Sequence, residues 1–212
     1  MVLASEYLGI SMGITTAVVP VAVYFLVIGL LNSRRHPQLV NGRTDFAMLM
    51  AAICPIFVFP LLDQFQMGLP LMAAATLLFV GVIWLIGPGN RTLVIYNLST
   101  EEAMRAIDST LVAMGVSFEA GADSYLLKDC DAEIRLSGFP MLRNVSFRFV
   151  GGSYDFVRNF QGQLEYSLNR LEVQTSPMAA GLMLVATAML AVPMALMAHR
   201  VPEIVRLLAD FW

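Results

Sequence analysis

The chain has 212 residues, 58% of them hydrophobic and 14% charged, with a formal net charge of −3. Soluble domains average about 45–50% apolar and about 25% charged residues, so this composition excludes an ordinary soluble protein, and the weak negative charge gives no electrostatic case for nucleic acid. The two cysteines, Cys54 and Cys130, fall in different regions and exclude a disulfide framework.

The apolar excess is gathered into runs. The first, residues 12–31, would be about 30 Å long as a helix, the thickness of a bilayer's hydrocarbon core. The residues before it hold Glu6 and no base, and the run is too long for a signal-peptide core, so no cleaved leader is expected. Pro20 lies inside the run, which neighbouring helices tolerate by re-satisfying the freed carbonyl. A polar connector follows, with Arg34, Arg35, His36 and Arg43. It closes on the turn dipeptide Asn41-Gly42, with Thr44 as the expected N-cap of the next helix. The second run, residues 46–62, contains Pro55 and Pro60, which predicts a kink. Asp63 marks its wet end. The link to the third run, residues 69–86, is short enough for a helical hairpin. Gly87-Pro88-Gly89 stops that run, and Trp84 lies near the stop, where an indole favours the membrane–water interface.

Residues 89–176 are a polar island of mixed pattern. Residues 92–96 read as a strand. Ser99-Thr100-Glu101-Glu102 matches a capping box, with Ser99 as N-cap and Glu102 at N3. The helix behind it carries Met104, Ile107, Leu111 and Met114 on one face, and Gly115 suits its C′ position. Strands are expected at 116–120 and 125–128 around a Gly-Ala-Asp-Ser turn, then at 133–136 and 145–150, with Pro140 and Asn144 in the bend between the last two. Phe156, Phe160, Leu164, Leu168 and Leu171 form the stripe of a second helix, and a short closing strand is expected at 171–174. The order β-α-β-β-β-α predicts two helices on one face of a mainly antiparallel sheet, close to the ferredoxin-like split βαβ arrangement.

The fourth run, residues 178–197, is rich in small residues. Gly181, Ala188, Ala191 and Ala195 would let helix backbones approach closely in lipid. The tail, residues 199–212, restarts after Pro202 with Ile204, Val205, Leu208, Phe211 and Trp212 on one side and Arg206 and Asp210 opposite, the pattern of a helix lying on a bilayer surface. The whole reads as an α-helical membrane protein with an inserted α+β domain. Three transmembrane helices occupy residues 1–88, the soluble domain 89–176, a fourth transmembrane helix 177–198, and the amphipathic tail 199–212.

Basic residues crowd the first connector, and the second has none. The positive-inside rule therefore places the first connector and the island in the cytoplasm and both termini outside an inner (plasma) membrane. His36 and His199 then lie on opposite sides and cannot share a metal. Asp129, Asp131 and Glu133 surround Cys130 and could face one way on a strand. They lack the glycine and second cluster of a calcium loop, so a solvated turn is the better reading. Cys54 reads as a packing residue, and the acidic setting of Cys130 disfavours a thiolate. No Ser/His/Asp set, Walker loop or dinucleotide fingerprint is present. The runs hold no ionisable residue near mid-membrane, which argues against charge-coupled transport and against haem. The acceptor patterns at Asn90, Asn97 and Asn144 are chance matches if the island is cytoplasmic.

The expected function is a non-enzymatic structural or assembly subunit of a membrane complex. Its partners would be the bilayer, other subunits or copies of itself, with no cofactor, metal or nucleic acid. Gly181, Ala188, Ala191 and Ala195 are the expected helix-packing residues; Trp84, Arg34, Arg35, Phe211 and Trp212 mark the membrane interfaces. The alternatives are a small homo-oligomeric channel lined by Thr15, Thr16, Thr76 and Thr187, and a membrane sensor that binds a small ligand in the soluble domain.

Overall fold

In chain order the elements are α1 (Val2–Ser33), β1 (Gln38–Asn41), α2 (Gly42–Phe65), α3 (Leu69–Leu85), β2 (Thr92–Tyr96), α4 (Thr100–Ala113), β3 (Phe118–Ala120), β4 (Ser124–Leu127), β5 (Ala132–Phe139), β6 (Asn144–Gly151), α5 (Tyr154–Leu168) and α6 (Pro177–Ala198). They come from a computed structural model that describes residues 2–65, 69–89 and 91–198. The tail, with Phe211 and Trp212, lies outside the described residues.

The strands form one antiparallel sheet in the order β1-β2-β6-β5-β4-β3. Alternation sorts each strand between two faces. Leu93 and Ile95 of β2, Val145, Phe147 and Phe149 of β6, Ile134 and Leu136 of β5, and Tyr125 and Leu127 of β4 are buried on the face that α4 and α5 cover. From the helices come Ala103, Ala106, Ile107, Leu111, Val157, Phe160, Leu164 and Leu168. Phe147 and Phe149 meet Phe160 edge-on, with ring centroids 6.2 and 5.2 Å apart, a favoured aromatic geometry.

Local chemistry starts and stops these helices. The capping box at α4 is complete. Ser99 accepts from the Glu102 amide, and Glu102 accepts from the Ser99 amide and hydroxyl. The bond from the Ser99 hydroxyl is the main reason the Glu102 carboxyl ionises below its ordinary range; burial opposes it, and the Arg143 guanidinium at 2.9 Å assists. Gly115 follows α4 with a φ of 68°, a left-handed conformation open to glycine at little cost.

Several expectations are corrected. The first connector is not all loop: Gln38–Asn41 is a strand that pairs with β2, and its Leu39 packs on the domain core. The residue that caps α2 is Asn41, whose Oδ1 accepts from the Arg43 amide at 2.9 Å, and not Thr44. Residues 171–174 join no ladder among the described residues. The sheet is also not the split βαβ kind. Strands β2 and β3, which flank α4, have three strands between them, because β3 to β6 run as a meander and no strand follows α5 among the described residues.

On the helical side, α1 lies between α2 and α6, and α3 packs mainly on α2. Among the described residues, two stretches are long and apolar enough to cross a membrane, Gly13–Ser33 and Pro177–Ala195. Thr76–Leu85 is a shorter apolar stretch in α3, so four such helices are not shown. Helix α2 continues past Pro55 and Pro60. The face of α6 toward α1 includes Ala179, Leu182, Met183, Ala186 and Pro193. The approach is close: a Cβ on Gly29 would lie 2.7 Å from Met183 Cγ and 3.2 Å from the Ala179 carbonyl. Gly181, Ala188, Ala191 and Ala195 lie on the opposite side of α6 and are exposed. They do not pack α6 onto α1.

Candidate functional site

The second face of the sheet meets the helices. Val94 and Tyr96 of β2 are buried against Ile28, with Tyr24, Leu31, Val40 and Leu182 around them. The last two turns of α1 and the start of α6 therefore rest on the β1–β2 end of the sheet. A polar lock holds this junction. Asn32, 1% exposed near the end of α1, spends its amide on the Ile28 carbonyl. Its Oδ1 accepts from the Asn97 backbone at 3.0 Å, and from the Asn144 amide at 3.0 Å in the orientation that satisfies both groups. The Asn97 side chain donates back to the Arg34 carbonyl at 2.8 Å. Asn97 sits at a φ of 62°, a region that asparagine tolerates better than most residues. The segment before α6 is tied to the same place, with the Val173 amide on the Arg35 carbonyl at 2.9 Å and the Ser176 amide on the Asn32 carbonyl at 3.3 Å. A buried polar group costs free energy unless it is bonded, so these partners can hardly part singly.

Beside the lock is a cavity of about 250 Å³. Tyr24 and Ile28 form its helical wall, Asp45 and Tyr96 one end, and Phe139, Leu142 and Asn144 the other. Its floor follows one cross-strand row, Val94–Ser146–Ser137. The Tyr96 hydroxyl donates to Asp45. Burial and then that bond raise the Tyr96 phenol well above its usual range, so it stays a protonated donor.

The sheet continues past the cavity as an open face. The next row is Thr92–Arg148–Arg135–Ser124, and the row beyond it Val150–Glu133–Leu126–Glu119. Arg135 forks onto Glu133 at 2.9 and 3.0 Å, and this bond lowers the Glu133 carboxyl below its ordinary range. Lys128 pairs with Glu119 at 2.5 Å. Arg148 is exposed, and no side-chain bond or ion pair to it occurs among the described residues.

The residues singled out from sequence distribute as follows. Trp84 is 73% exposed near the end of α3. Arg34 and Arg35 are exposed at the end of α1, Arg34 donating to Gln38 at 3.0 Å. His36 meets the Leu171 carbonyl at 3.1 Å, and His199 lies outside the described residues. Asp129 accepts from the Ser117 amide at 2.7 Å while Glu133 faces Arg135, so the acidic cluster does not converge, and no group of three metal-ligating side chains occurs among the described residues. Thr187 bonds the Met183 carbonyl one turn back. Asn97 is fully buried with its amide engaged, which removes it as a glycosylation acceptor.

The lock and the cavity escaped sequence reasoning. Their residues come from 24–45, 94–97 and 137–146, and are joined by the β1–β2, β2–β6 and β5–β6 pairings and by the return of α6. The one available signal was three asparagines at element ends, and that pattern is common in turns. No family model, curated protein or solved structure matches the chain.

Proposed function

We propose that the protein is a membrane-anchored, non-enzymatic assembly subunit. In this reading α1, α6 and the α2–α3 hairpin stand in the bilayer, and the sheet domain lies on the cytoplasmic side. The pairing of β1 with β2 supports one part of that topology, since it holds the arginine-rich connector and the domain on one side. The observation that carries the assembly reading is that two apolar surfaces are left uncovered by the described residues. Helix α3 leaves Leu77, Leu78, Trp84 and Leu85 at least 71% exposed, and α6 turns Gly181, Ala188, Ala191 and Ala195 away from α1. Small residues let a further helix approach closely in lipid, and the locked junction would pass the orientation of such an assembly to the domain.

The test is the native mass of the full chain in mild detergent, with Ala191→Leu and Ala195→Leu beside the wild type. Both positions are exposed, so the fold should survive. An assembled wild type, with at least one variant shifted to smaller species or stripped of partners, is the expected result. A lone wild-type monomer, unchanged in either variant, would sink the assembly reading. The sensor reading would then lead, because the junction cavity is placed where a small ligand would touch α1, α2 and the sheet together.

A further inference from the structure

We infer that the open half of the sheet is a binding face for anionic phospholipid headgroups, centred on Arg148 and Arg135. The inference rests on the reading that the helices span a bilayer.

Position is the first argument. The helices meet the sheet on its second face, through Val94 and Tyr96, while α4 and α5 cover the first. The uncovered part of that second face therefore looks the same way as the helices. Its level is set by α2. That helix begins at Gly42, where an added Cβ would lie 2.9 Å from Thr92 Cγ2. Thr92 opens the row Thr92–Arg148–Arg135. At about 4.8 Å between strands, Arg148 lies one strand, and Arg135 two strands, from the place where α2 sets off. A helix that enters the hydrocarbon there puts the arginine row at phosphate depth.

Charge is the second argument. Arg135 and Arg148 stand directly opposite each other across β5 and β6, and like charges so placed repel. Arg135 is partly neutralised by Glu133, and Arg148 is not. A phosphate between them would relieve the repulsion and accept from both guanidinium groups. Arg43 adds a third base at the first turn of α2, where Asp45 also lies. The covered side is charged the other way: α4 and α5 carry Glu101, Glu102, Asp108, Asp155 and Glu165 against Arg105 and Arg158. On the open face Glu133 and Glu119 are paired with Arg135 and Lys128, which leaves Arg148 as the uncompensated charge, so that face is weakly basic while the covered side is acidic. Basic groups near a membrane are attracted to anionic leaflets.

The third argument is the apolar rim. Leu126 and Val150, 52% and 43% exposed, lie in the row next to the arginines on the same face, and Phe139, 56% exposed, lies on that face beyond the Ser146–Ser137 row. A purely aqueous sheet face would carry polar residues at these positions. Next to headgroups they have an apolar neighbour.

The experiment uses the full chain in bilayer discs of phosphatidylcholine, with and without phosphatidylglycerol. Wild type, Arg148→Gln and the double variant Arg135→Gln/Arg148→Gln are released into mild detergent and their retained lipid is weighed by native mass spectrometry. Each base near an anionic surface contributes roughly five-fold in binding, so phosphatidylglycerol retention should fall about five-fold in the single variant and about thirty-fold in the double. In a second arm, Val150→Cys carries a fluorophore in a Cys54→Ala/Cys130→Ser background. Lipids with a headgroup spin label should quench it. Unchanged retention in the double variant, or an unquenched label, overturns the inference. So does protection of β5 and β6 amides from hydrogen exchange by inorganic phosphate in neutral discs as strong as that from phosphatidylglycerol, because that result describes a soluble-anion site. A chain that fails to enter discs refutes the membrane reading, and this inference with it. A chain that enters discs without quenching refutes the lipid face alone.

Discussion

In the sheet domain Ile107, Leu111, Phe160 and Leu164 are fully buried, whereas in α3 Leu77, Leu78, Trp84 and Leu85 are 71–79% exposed. Both regions are rich in apolar residues, and they differ in where the contacts go. The domain directs an alternating sheet and two amphipathic helices inward onto one core, the arrangement that water enforces. Among the residues whose burial is described, α1, α2, α3 and α6 bury few side chains beyond Ala22, Ile28, Asn32, Ala52, Ala179, Ala186 and Pro193, and leave many apolar side chains exposed. A fully buried large aliphatic side chain contributes about 1.5–3 kcal/mol in water. The helical region forgoes that contribution at position after position, which is intelligible when its solvent is lipid or another chain. On the proposed reading the two halves are stabilised by different surroundings, and the junction between them combines the apolar contact of Ile28 with Val94 and Tyr96 and the polar bonds of Asn32 and Asn97.

The largest expected effect falls on the domain core. Leu111→Asp places an unpaired charge in a site with no solvent exposure, and losing several kcal/mol from a domain stability of about 5–15 should unfold the sheet region. Circular dichroism of the full chain should lose the strand signal and the share of helix signal from α4 and α5, and keep that of α1, α2, α3 and α6. A melting curve like that of the wild type would show that the core is not where the domain's stability resides.

The next effect falls on the lock. Asn32→Ala removes the acceptor for the Asn97 amide and leaves a buried donor unsatisfied, a loss of about 1–3 kcal/mol. Both halves should stay folded while hydrogen exchange rises at Asn97, Val173 and Ser176. Uniform acceleration across the β5 and β6 amides would mean that the lock is part of the domain core and not a joint.

How much of this was legible beforehand follows from the range of the signals. The capping box at Ser99 and Glu102, the stripe of α5 from Phe156 to Leu168 and the strand at 92–96 are set by neighbours a few residues apart and stand where the pattern placed them, whereas Leu171, read into that stripe, lies beyond the end of α5 and is exposed. The apolar runs became helices for the same reason. Strand β1 was not legible, because four residues beside an arginine-rich turn show no alternation until β2 lies next to them. Nor was the face by which α6 packs on α1. The visible small residues, Gly181, Ala188, Ala191 and Ala195, are exposed, and the close contact is made at Gly29, whose partner is known only from the fold. The cavity and the opposed arginines depend on register, which a single sequence does not display.

The smallest effect concerns pH. The Glu102 carboxyl ionises below its ordinary value of 4.5, so its contribution is complete above that value and is lost as pH falls through the lowered one. Glu102→Gln should flatten the acid side of the melting profile and leave neutral pH lower by about 1 kcal/mol or less, the usual worth of a cap. Parallel profiles for wild type and variant below that value would show that the capping box does not titrate with folding.

The most direct test is where the two regions sit relative to a membrane. In a Cys54→Ala/Cys130→Ser background, single cysteines at Arg35, Asp123 and Gln66 are labelled in intact cells and in inverted vesicles with a reagent that does not cross membranes. The account expects Arg35 and Asp123 to label together from the cytoplasmic side, as the β1–β2 pairing requires, and Gln66 to label from outside. Labelling of Arg35 and Asp123 from opposite sides, or of all three from one side, would contradict it.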